Sequence, residues 1–276
     1  MDIHITTLVE NTASVGFMAE WGLSILIESD GRRILLDTGP GISTVYNASL
    51  LGIDFTAVDK IVLSHGHYDH TGGLKDILLR ITDGVDIISH PSIWEPKYSV
   101  RENKAKYIGI PFYREELESL GGHFKTNKEP VYITDNILTS GEIPFVTGYE
   151  ETDRDLYIKE KDGFINDNFS DDLSLAIKTE KGLAIFLGCA HRGMINIISR
   201  FQKITGDKRI YSVVGGTHLI SASPERLAKT IADLKKIGIQ KLGVSHCTGF
   251  EASAELAKEF KDIFFLNYAG SRHKLL

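Results

Sequence analysis

The chain has 276 residues, of which 42% are hydrophobic and 25% are charged, and its formal net charge is −6. This length fits one large domain or two small ones, and the acidic balance gives no basic footprint for a nucleic acid. No run approaches the roughly 20 apolar residues that span a bilayer, and the N-terminus lacks the basic and apolar regions of a signal peptide. The sequence therefore predicts a cytoplasmic globular protein without a membrane or nucleic-acid partner. It does not fix the oligomeric state.

Apolar periodicity divides the chain into strand and helix signals. The predicted strands are 3–8, 24–28, 33–37, 61–64, 85–89, 131–138, 173–179, 183–187, 209–214 and 240–245. The predicted helices are 42–51, 75–81, 113–120, 194–204 and 224–237. Asp30-Gly31 is typical of a hairpin turn, and Ser223 with Pro224 is typical of a helix start. Two strand-rich halves, each with helices, predict an α/β sandwich of sheets with helices outside.

Residues 64–72, Ser-His-Gly-His-Tyr-Asp-His-Thr-Gly, place four metal-ligand side chains within six positions after an apolar run. These are His65, His67, Asp69 and His70. Imidazole suits zinc, iron and nickel, and a carboxylate adds a hard oxygen and negative charge. Protonated histidines this close would repel one another, which favours neutral imidazoles around a cation. The alternative is a polar loop with accidental histidines. With ten histidines in the chain, this packing after a strand favours a metal site.

The His-x-His-x-Asp-His order after a strand resembles the signature of the metallo-β-lactamase superfamily, and residues 34–39, Ile-Leu-Leu-Asp-Thr-Gly, resemble its first motif. Further segments resemble one branch, the 7,8-dihydropterin-6-methyl-4-(β-D-ribofuranosyl)aminobenzene-5′-phosphate synthase-like hydrolases. They are residues 21–24, 139–144, 188–193, 215–219 and 245–249. The resemblance implies a four-layer αββα sandwich in a single domain, 1–276, with the site at one edge between the sheets.

The resemblance also implies ligands from the second half of the chain. His246 ends a strand and is similar to the superfamily's final ligand histidine. The usual Gly-His-Thr histidine is missing, with Asp171-Asp172 about where it would stand, and Gly188-Cys189 stands where a bridging Asp would follow Gly. His191, two positions beyond Cys189, points to the same side in an extended turn. Cys189 is either a soft ligand or a spectator.

The expected ligand sets are His65, His67 and His191 for one metal, and Asp69, His70 and His246 for a second. One or two divalent ions are therefore expected, with zinc first and iron or manganese as alternatives. Because the sequence has no clear bridging carboxylate, it does not decide whether a second ion binds. The two cysteines, Cys189 and Cys247, cannot form a disulfide framework, and each lies beside a histidine, so reduced thiols are expected.

Three further roles concern side chains around the expected ligands. By resemblance, Asp37 orients a ligand histidine by accepting its second ring proton; the alternative is a carboxylate that caps a turn. His218, in Gly215-Gly216-Thr217-His218, is expected to bind a substrate oxygen or act as an acid, or else to pack at a strand end. Asp69 is assigned a catalytic role besides ligation.

The segment near 94–130 mixes basic and aromatic residues in irregular order. It is either a cap over the site or a solvated surface insertion. As a cap, it would bring Arg101, Lys104 and Arg114 to a substrate phosphate. The resulting hypothesis is a metal-dependent hydrolase or pyrophosphate-releasing transferase for a small anionic substrate of the pterin-phosphate type. The alternatives are a superfamily hydrolase of a lactone, thioester or phosphodiester, and a non-catalytic metal or ligand sensor.

Overall fold

A computed structural model describes residues 2–102 and 104–276. Its largest sheet has seven strands, in the spatial order β17-β1-β2-β3-β4-β5-β8. They are β1 (Ile3–Val9), β2 (Ser24–Ser29), β3 (Arg32–Leu36), β4 (Lys60–Val62), β5 (Val85–Ser89), β8 (Gly122–Thr126) and β17 (Arg272–Lys274). Strands β3, β4, β5 and β8 run parallel, so their carboxyl ends meet at one edge of the sheet.

A second sheet has six strands, in the spatial order β16-β15-β14-β13-β12-β9. They are β9 (Ile137–Thr139), β12 (Leu175–Thr179), β13 (Gly182–Leu187), β14 (Ile210–Gly216), β15 (Lys241–Ser245) and β16 (Phe264–Leu266). Strands β13 to β16 are parallel. The chain therefore repeats the arrangement of the first sheet and again gathers several strand ends at one edge.

Apolar contacts arrange these sheets in four layers. One buried cluster joins the sheets face to face, for example through Ile25 and Leu36 on one side and Phe186 on the other. Two other clusters pack helices on the outer faces. The helices are α1 (Ile42–Leu51), α2 (Tyr68–Thr71), α3 (Leu74–Leu78), α4 (Arg114–Ser119), α5 (Met194–Thr205), α6 (Pro224–Ile237) and α7 (Phe250–Phe260). The predicted αββα sandwich is confirmed.

Most predicted elements occur within one or two residues of their expected bounds, but two differ. The strand predicted at 131–138 is wrong, since only Ile137–Thr139 is a strand. The hydroxyl of Thr134 accepts the N–H groups of Asn136 and Ile137 at 3.1 Å, and this local turn competes with extended pairing. The helix predicted at 75–81 is shorter and spans Leu74–Leu78.

The segment near 94–130 divides into two parts with different partners. Strands β6 (Lys97–Arg101) and β7 (Lys104–Tyr107) form a hairpin that pairs with β10 (Leu156–Glu160), which in turn pairs with β11 (Gly163–Asn166). Helix α4 and strand β8 instead join the edge of the seven-stranded sheet. Only the hairpin belongs to a separate small sheet. Among residues 2–102 and 104–276, no helix combines the length and apolar character needed to cross a bilayer.

Candidate metal centre

The loop after β4 carries the first cluster of predicted ligands and is held by close backbone packing. At Gly66, a Cβ atom would lie 2.2 Å from the carbonyl oxygen of Ile93, so no side chain fits between the two histidines of the motif. The Gly66 N–H donates to Asp171 Oδ2 at 2.8 Å. The glycine and this buried carboxylate therefore fix the turn that carries His65 and His67.

Two pairs of imidazoles bring their Nε2 atoms together at the edge where the sheets meet. The Nε2 atoms of His65 and His191 are 3.3 Å apart, and those of His70 and His246 are 3.2 Å apart. Two nitrogens that bind one tetrahedral zinc at about 2.0–2.1 Å are separated by about 3.3 Å. Both pairs therefore have the spacing of two ligands on one ion.

The Asp37 carboxylate sets the tautomers of two of these rings. Its Oδ2 atom accepts from His70 Nδ1 at 2.6 Å and from the Ser64 hydroxyl at 2.7 Å, and its Oδ1 atom accepts the Ser64 N–H at 2.7 Å. Since the Ser64 hydroxyl donates to Asp37, its oxygen accepts from His65 Nδ1 at 2.9 Å. A proton on each Nδ1 leaves a lone pair on Nε2 of His65 and makes Nε2 of His70 the atom that can exchange its proton for a metal ion.

The tautomer of His246 follows from contacts near the end of β1. Its Nδ1 lies 3.0 Å from Asn11 Oδ1, which also accepts the N–H of Gly22 at 3.3 Å, while the Asn11 amide donates to the His246 carbonyl at 3.1 Å. The ring therefore donates through Nδ1, and its Nε2 lone pair faces Nε2 of His70. Two ring nitrogens at 3.2 Å are held together by a cation between them, either a proton on His70 or a metal ion in its place. The donor atoms and their spacing thus fit a metal ion.

The remaining predicted ligands surround these two pairs. Asp69 Oδ2 lies 3.5 Å from His246 Nε2 and 4.0 Å from His70 Nε2. The ring of His67 lies 4.6 Å from that of His65 and 5.0 Å from that of His191, and its buried Nε2 has no hydrogen-bond partner within the described residues. The structure therefore gathers all six predicted ligands. Their roles in metal binding stay predictions.

Burial sets the charge state of the histidines that lack a carboxylate partner. It lowers the pKa of His67 to about 3 and lowers the pKa values of His65 and His191 well below their usual range. Burial also opposes protonation of His70, but the charge and hydrogen bond of Asp37 outweigh it and raise the pKa of His70 to about 9. Burial therefore keeps His65, His67 and His191 neutral and available as ligands. The Asp37 carboxylate instead favours the protonated form of His70 in the absence of a metal.

His218 lies beside this centre with a carboxylate partner of its own. Its Nε2 hydrogen-bonds to Asp153, and its ring centroid is 4.1 Å from that of His191. Burial opposes its protonation, but the Asp153 hydrogen bond outweighs this effect and raises the pKa of His218 to about 10. The structure therefore brings the predicted His218 to the edge of the site, paired with Asp153 and within groups that could hold a metal ion.

Backbone strain is concentrated at this centre. Eight non-glycine residues of the described chain have positive φ. Five of them surround the site: Asp37 at 58°, Phe169 at 52°, Ala190 at 58°, His218 at 51° and His246 at 53°. This region of φ is unfavourable for side chains with a Cβ and persists where surrounding contacts hold it. Its concentration here is typical of a functional site.

A cavity of about 550 Å³ opens above the ligands and is lined by His67, Asp69, His191, His218 and His246. The β6–β7 hairpin contributes Arg101, Lys104 and Lys106 to its lining, and the half-exposed Trp21 lies beside His246, with ring centroids 4.9 Å apart. Arg114 does not line this cavity, because it lies on α4 and pairs with Glu118 at 2.8 Å. The structure therefore brings Arg101 and Lys104 to the site and leaves Arg114 away from it.

A model of the family described as the metallo-beta-lactamase superfamily matches residues 22–159, half of the chain. The chain belongs to the metallo-β-lactamase superfamily. It is 38% identical to 7,8-dihydropterin-6-methyl-4-(beta-D-ribofuranosyl)-aminobenzene-5′-phosphate synthase from Methanocaldococcus jannaschii, over 98% of this chain and 95% of that protein. It is also 39% identical to a ribonuclease Z from a Bradyrhizobium species, but over only 24% of this chain and 22% of that protein.

Among solved structures, the chain is similar to Tm1679, a metal-dependent hydrolase of the beta-lactamase superfamily. The TM-score is 0.85 at 28% identity, and the match covers 98% of each chain. The likeness therefore extends over nearly the whole chain. The branch indicated by the short motifs of the sequence is supported by the identity to the Methanocaldococcus synthase.

Several residues around this superfamily site were missed by sequence reasoning. Lys97 is fully buried and its ammonium binds Asp167 at 2.7 Å and Asp171 at 2.9 Å. Phe169 lies between these two aspartates in sequence and stacks on His191, with ring centroids 3.9 Å apart. A lysine in an exposed-looking basic segment gives no signal of burial. Asp153, in an irregular acidic stretch, gives none either.

Proposed function

We propose that this chain is a metal-dependent hydrolase or pyrophosphate-releasing transferase that acts on a small anionic substrate of the pterin-phosphate type. The facing Nε2 atoms of His70 and His246 are 3.2 Å apart and carry the proposal, and His246 lines the cavity. A second imidazole pair of the same spacing lies beside them. A site of this kind, open to a cavity of substrate size, is suited to catalysis rather than to structural metal binding.

Bound divalent metals would supply Lewis-acid charge neutralisation and lower the pKa of water at the site. His65, His67 and His191 would hold one ion, and Asp69, His70 and His246 a second. The Asp69 carboxylate stays ionised, because the imidazoles of His246 and His70 outweigh burial and hold its pKa below the usual range. It can therefore accept a hydrogen bond from water or substrate in the cavity.

His218 would serve as the proton donor of the reaction. Asp153 binds its Nε2 and keeps the ring cationic, while its Nδ1 has no hydrogen-bond partner in the part of the chain that the structure describes. A proton held on that atom can stabilise a departing phosphate oxygen or be transferred to it. Asp153 acts as a positioning residue, because it contacts His218 and does not line the main cavity.

The walls of the cavity suit a ring that carries phosphate groups. Arg101, Lys104 and Lys106 provide positive charge, and the indole of Trp21, 47% exposed, offers an aromatic face in the same cavity. Cationic groups bind phosphate oxygens, and aromatic rings stack on flat heterocycles. The name of the Methanocaldococcus relative, a dihydropterin-linked phosphate synthase, agrees with this substrate type.

Two other functions compete with this proposal. A superfamily hydrolase of a lactone, thioester or phosphodiester would use the same ligands, and the short match to a ribonuclease Z places RNA among the phosphodiesters to test. The net charge of −6 and a cavity whose lysine and arginine residues all come from one hairpin favour a small substrate. A non-catalytic sensor would keep the metal and show no turnover.

Metal analysis followed by a substrate screen tests the proposal. We expect zinc, iron or manganese in the purified protein, and lower metal content in His67→Ala and in the double variant His65→Ala/His67→Ala. His123→Ala, at an exposed position on β8, is the matched control and should keep its metal. Equal metal content in the double variant and the wild type would refute the ligand assignment.

The screen should include pterin diphosphates, phosphoesters, lactones, thioesters and a short RNA. Turnover that is highest on the pterin diphosphates and depends on His67 supports the proposal. Highest turnover on uncharged lactones would overturn the phosphate substrate and leave the metal site intact. Full metal content without turnover of any class would favour the sensor.

A further inference from the structure

Lys97 is fully buried at the start of β6, the strand that carries Arg101 to the cavity. Its Nζ atom lies 2.7 Å from Asp167 Oδ2 and 2.9 Å from Asp171 Oδ1, and these three residues form the Lys97 cluster. Replacing a buried ion cluster by well-packed apolar residues is often neutral or stabilising. Stability alone therefore does not account for a charged cluster at this place.

The Asp171 carboxylate joins the cluster to the turn that carries His65 and His67. Its Oδ1 atom binds Lys97, and its Oδ2 atom accepts the Gly66 N–H at 2.8 Å. A Cβ atom at Gly66 would lie 3.3 Å from Lys97 Cε, so the lysine side chain also packs against this turn. The ammonium and the first ligand turn are therefore fixed by the same carboxylate.

Phe169 joins the cluster to the second ligand turn. Its ring stacks on His191, with centroids 3.9 Å apart and an interplanar angle of 7°, and the ring of His67 meets it at 85° and 5.7 Å. The Lys97 ammonium lies 5.2 Å from the centroid of the same ring. Asp167 Oδ1 accepts the Phe169 N–H at 2.7 Å and so supports its positive φ of 52°. One aromatic ring, held by the cluster, therefore contacts two of the predicted ligands.

We propose that Lys97 is a positioning residue for the ion assigned to His65, His67 and His191, called here the first ion. This inference rests on the proposed function, since that function assigns the three ligands. Through one carboxylate the ammonium fixes the turn of the first two histidines, and through the stacked aromatic ring it fixes the plane of the third. Without the ammonium, the two carboxylates would repel each other, and residues 167–172 would move away from both ligand turns.

The second ion, assigned to the other ligand set, has different supports. His70 is oriented by Asp37, and His246 is oriented by Asn11. Loss of the Lys97 cluster should therefore weaken binding of the first ion and spare the second. A residue that only stabilises the fold would not separate the two ions in this way.

Two variants remove the support without changing the net charge of the cluster. Lys97→Met/Asp167→Asn removes one positive and one negative charge, and the new amide oxygen can still accept the Phe169 N–H. Phe169→Leu removes the stacking on His191 and leaves the charged groups in place. Phe201→Leu is the matched control, because Phe201 is buried to the same extent but packs in an outer apolar cluster.

Asp171→Asn is a third variant, which tests the same link if the double variant does not fold. It keeps the Lys97 ammonium paired with Asp167. An amide has one acceptor oxygen, so either the ammonium or the Gly66 N–H loses its partner at position 171. Binding of the first ion should weaken as it does in the double variant.

Competition for zinc against a chromophoric chelator, with the full-length protein, tests the assignment without any substrate. His246→Ala keeps the first ligand set and His67→Ala keeps the second, so these two backgrounds report each ion by itself. In the His246→Ala background, we expect Lys97→Met/Asp167→Asn and Phe169→Leu each to lower the zinc affinity by about 10–100-fold, as found for partners of ligand histidines. In the His67→Ala background, the same changes should leave the zinc affinity unchanged.

Each outcome decides the proposal. Unchanged affinity for the first ion, in variants with normal circular dichroism, would overturn it and leave the metal-dependent function standing. An equal loss at both ions, or the same loss in Phe201→Leu, would also overturn it, because the effect would then be a general loosening of the fold. A His246→Ala protein without zinc would remove the first ion on which the proposal depends. A wild type that binds no zinc, iron or manganese would sink this inference and the proposed function together.

Discussion

Replacement of Asp37 by Asn should weaken metal binding without disturbing the fold. Three donors converge on the carboxylate: the N–H and hydroxyl of Ser64, and Nδ1 of His70. An amide has one acceptor oxygen, so its NH₂ group must face at least one of these donors. If the oxygen keeps the Ser64 N–H, the NH₂ group faces His70 Nδ1 and drives the ring proton to Nε2, where it blocks coordination.

The expected magnitude follows from the number of ligands affected. Loss of one hydrogen-bonding partner of a ligand histidine costs about 10–100-fold in metal affinity, equivalent to about 1.4–2.7 kcal/mol. Asp37 reaches His70 directly and His65 through Ser64, so we expect the upper end of this range. Asn also accepts the positive φ of 58° at this position, because Asn and Asp are enriched in that region.

The assay is competition for zinc against a chromophoric chelator, with thermal unfolding of the metal-free protein as the test of folding. Asp30→Asn is the matched control, since Asp30 also has positive φ, 53°, and is exposed away from the site. It should bind zinc as the wild type does. Unchanged zinc affinity in Asp37→Asn, with normal folding, would refute the tautomer argument. An equal loss in both variants would show that the effect is not specific to the site.

Three further outcomes are expected. Lys97→Met should destabilise the fold by about 3–5 kcal/mol in urea unfolding, because it leaves two buried carboxylates without their cation; a loss below about 1 kcal/mol would contradict this. The double variant Arg101→Ala/Lys104→Ala should raise KM for phosphorylated substrates by about three- to tenfold, as expected for exposed charge contacts. Arg114→Ala is the control and should keep the wild-type KM. Equal KM values in the wild type, the double variant and Arg114→Ala would exclude a substrate role for the hairpin. Removal of metal by a chelator should lower the free energy of unfolding, by about 2.7 kcal/mol if free metal had been 100-fold above Kd; an unchanged unfolding curve would exclude metal bound preferentially to the folded state.

The local part of the site could be predicted from the sequence because its residues are close along the chain. His65, His67, Asp69 and His70 follow one strand, so their convergence needs only a turn. His191 and His246 could be placed because each follows a predicted strand of the second half and because the surrounding motifs resemble those of the superfamily. The structure explains why this works, since the carboxyl ends of parallel strands share an edge of a sheet.

Partners that depend on tertiary contacts left no signal in the sequence. Asn11 and His246 are 235 positions apart and meet only when the two sheets pack. The β6–β7 hairpin does carry a signal, since Tyr98 and Val100 in β6 and Ala105 and Tyr107 in β7 alternate with polar residues. The two strands are only five and four residues long and rich in lysine and arginine, so this period-2 pattern was too short to be recognised. Composition could suggest that Arg101, Lys104 and Arg114 act together, but the boundary between the hairpin and α4 separates Arg114 from the other two.

The contact between the first strand and His246 also determines when the centre can be completed. The Glu10 carboxylate accepts the His246 N–H at 2.6 Å, and Asn11 orients the ring, across more than 230 residues of chain. During synthesis, His65 and His70 emerge long before His191 and His246. The early chain therefore contains only one histidine of each imidazole pair. Ligands this far apart in sequence come together only at an entropic cost of loop closure, and the folding of the intervening sheets offsets that cost. Stable metal loading therefore reports that both halves of the molecule have been made and have docked.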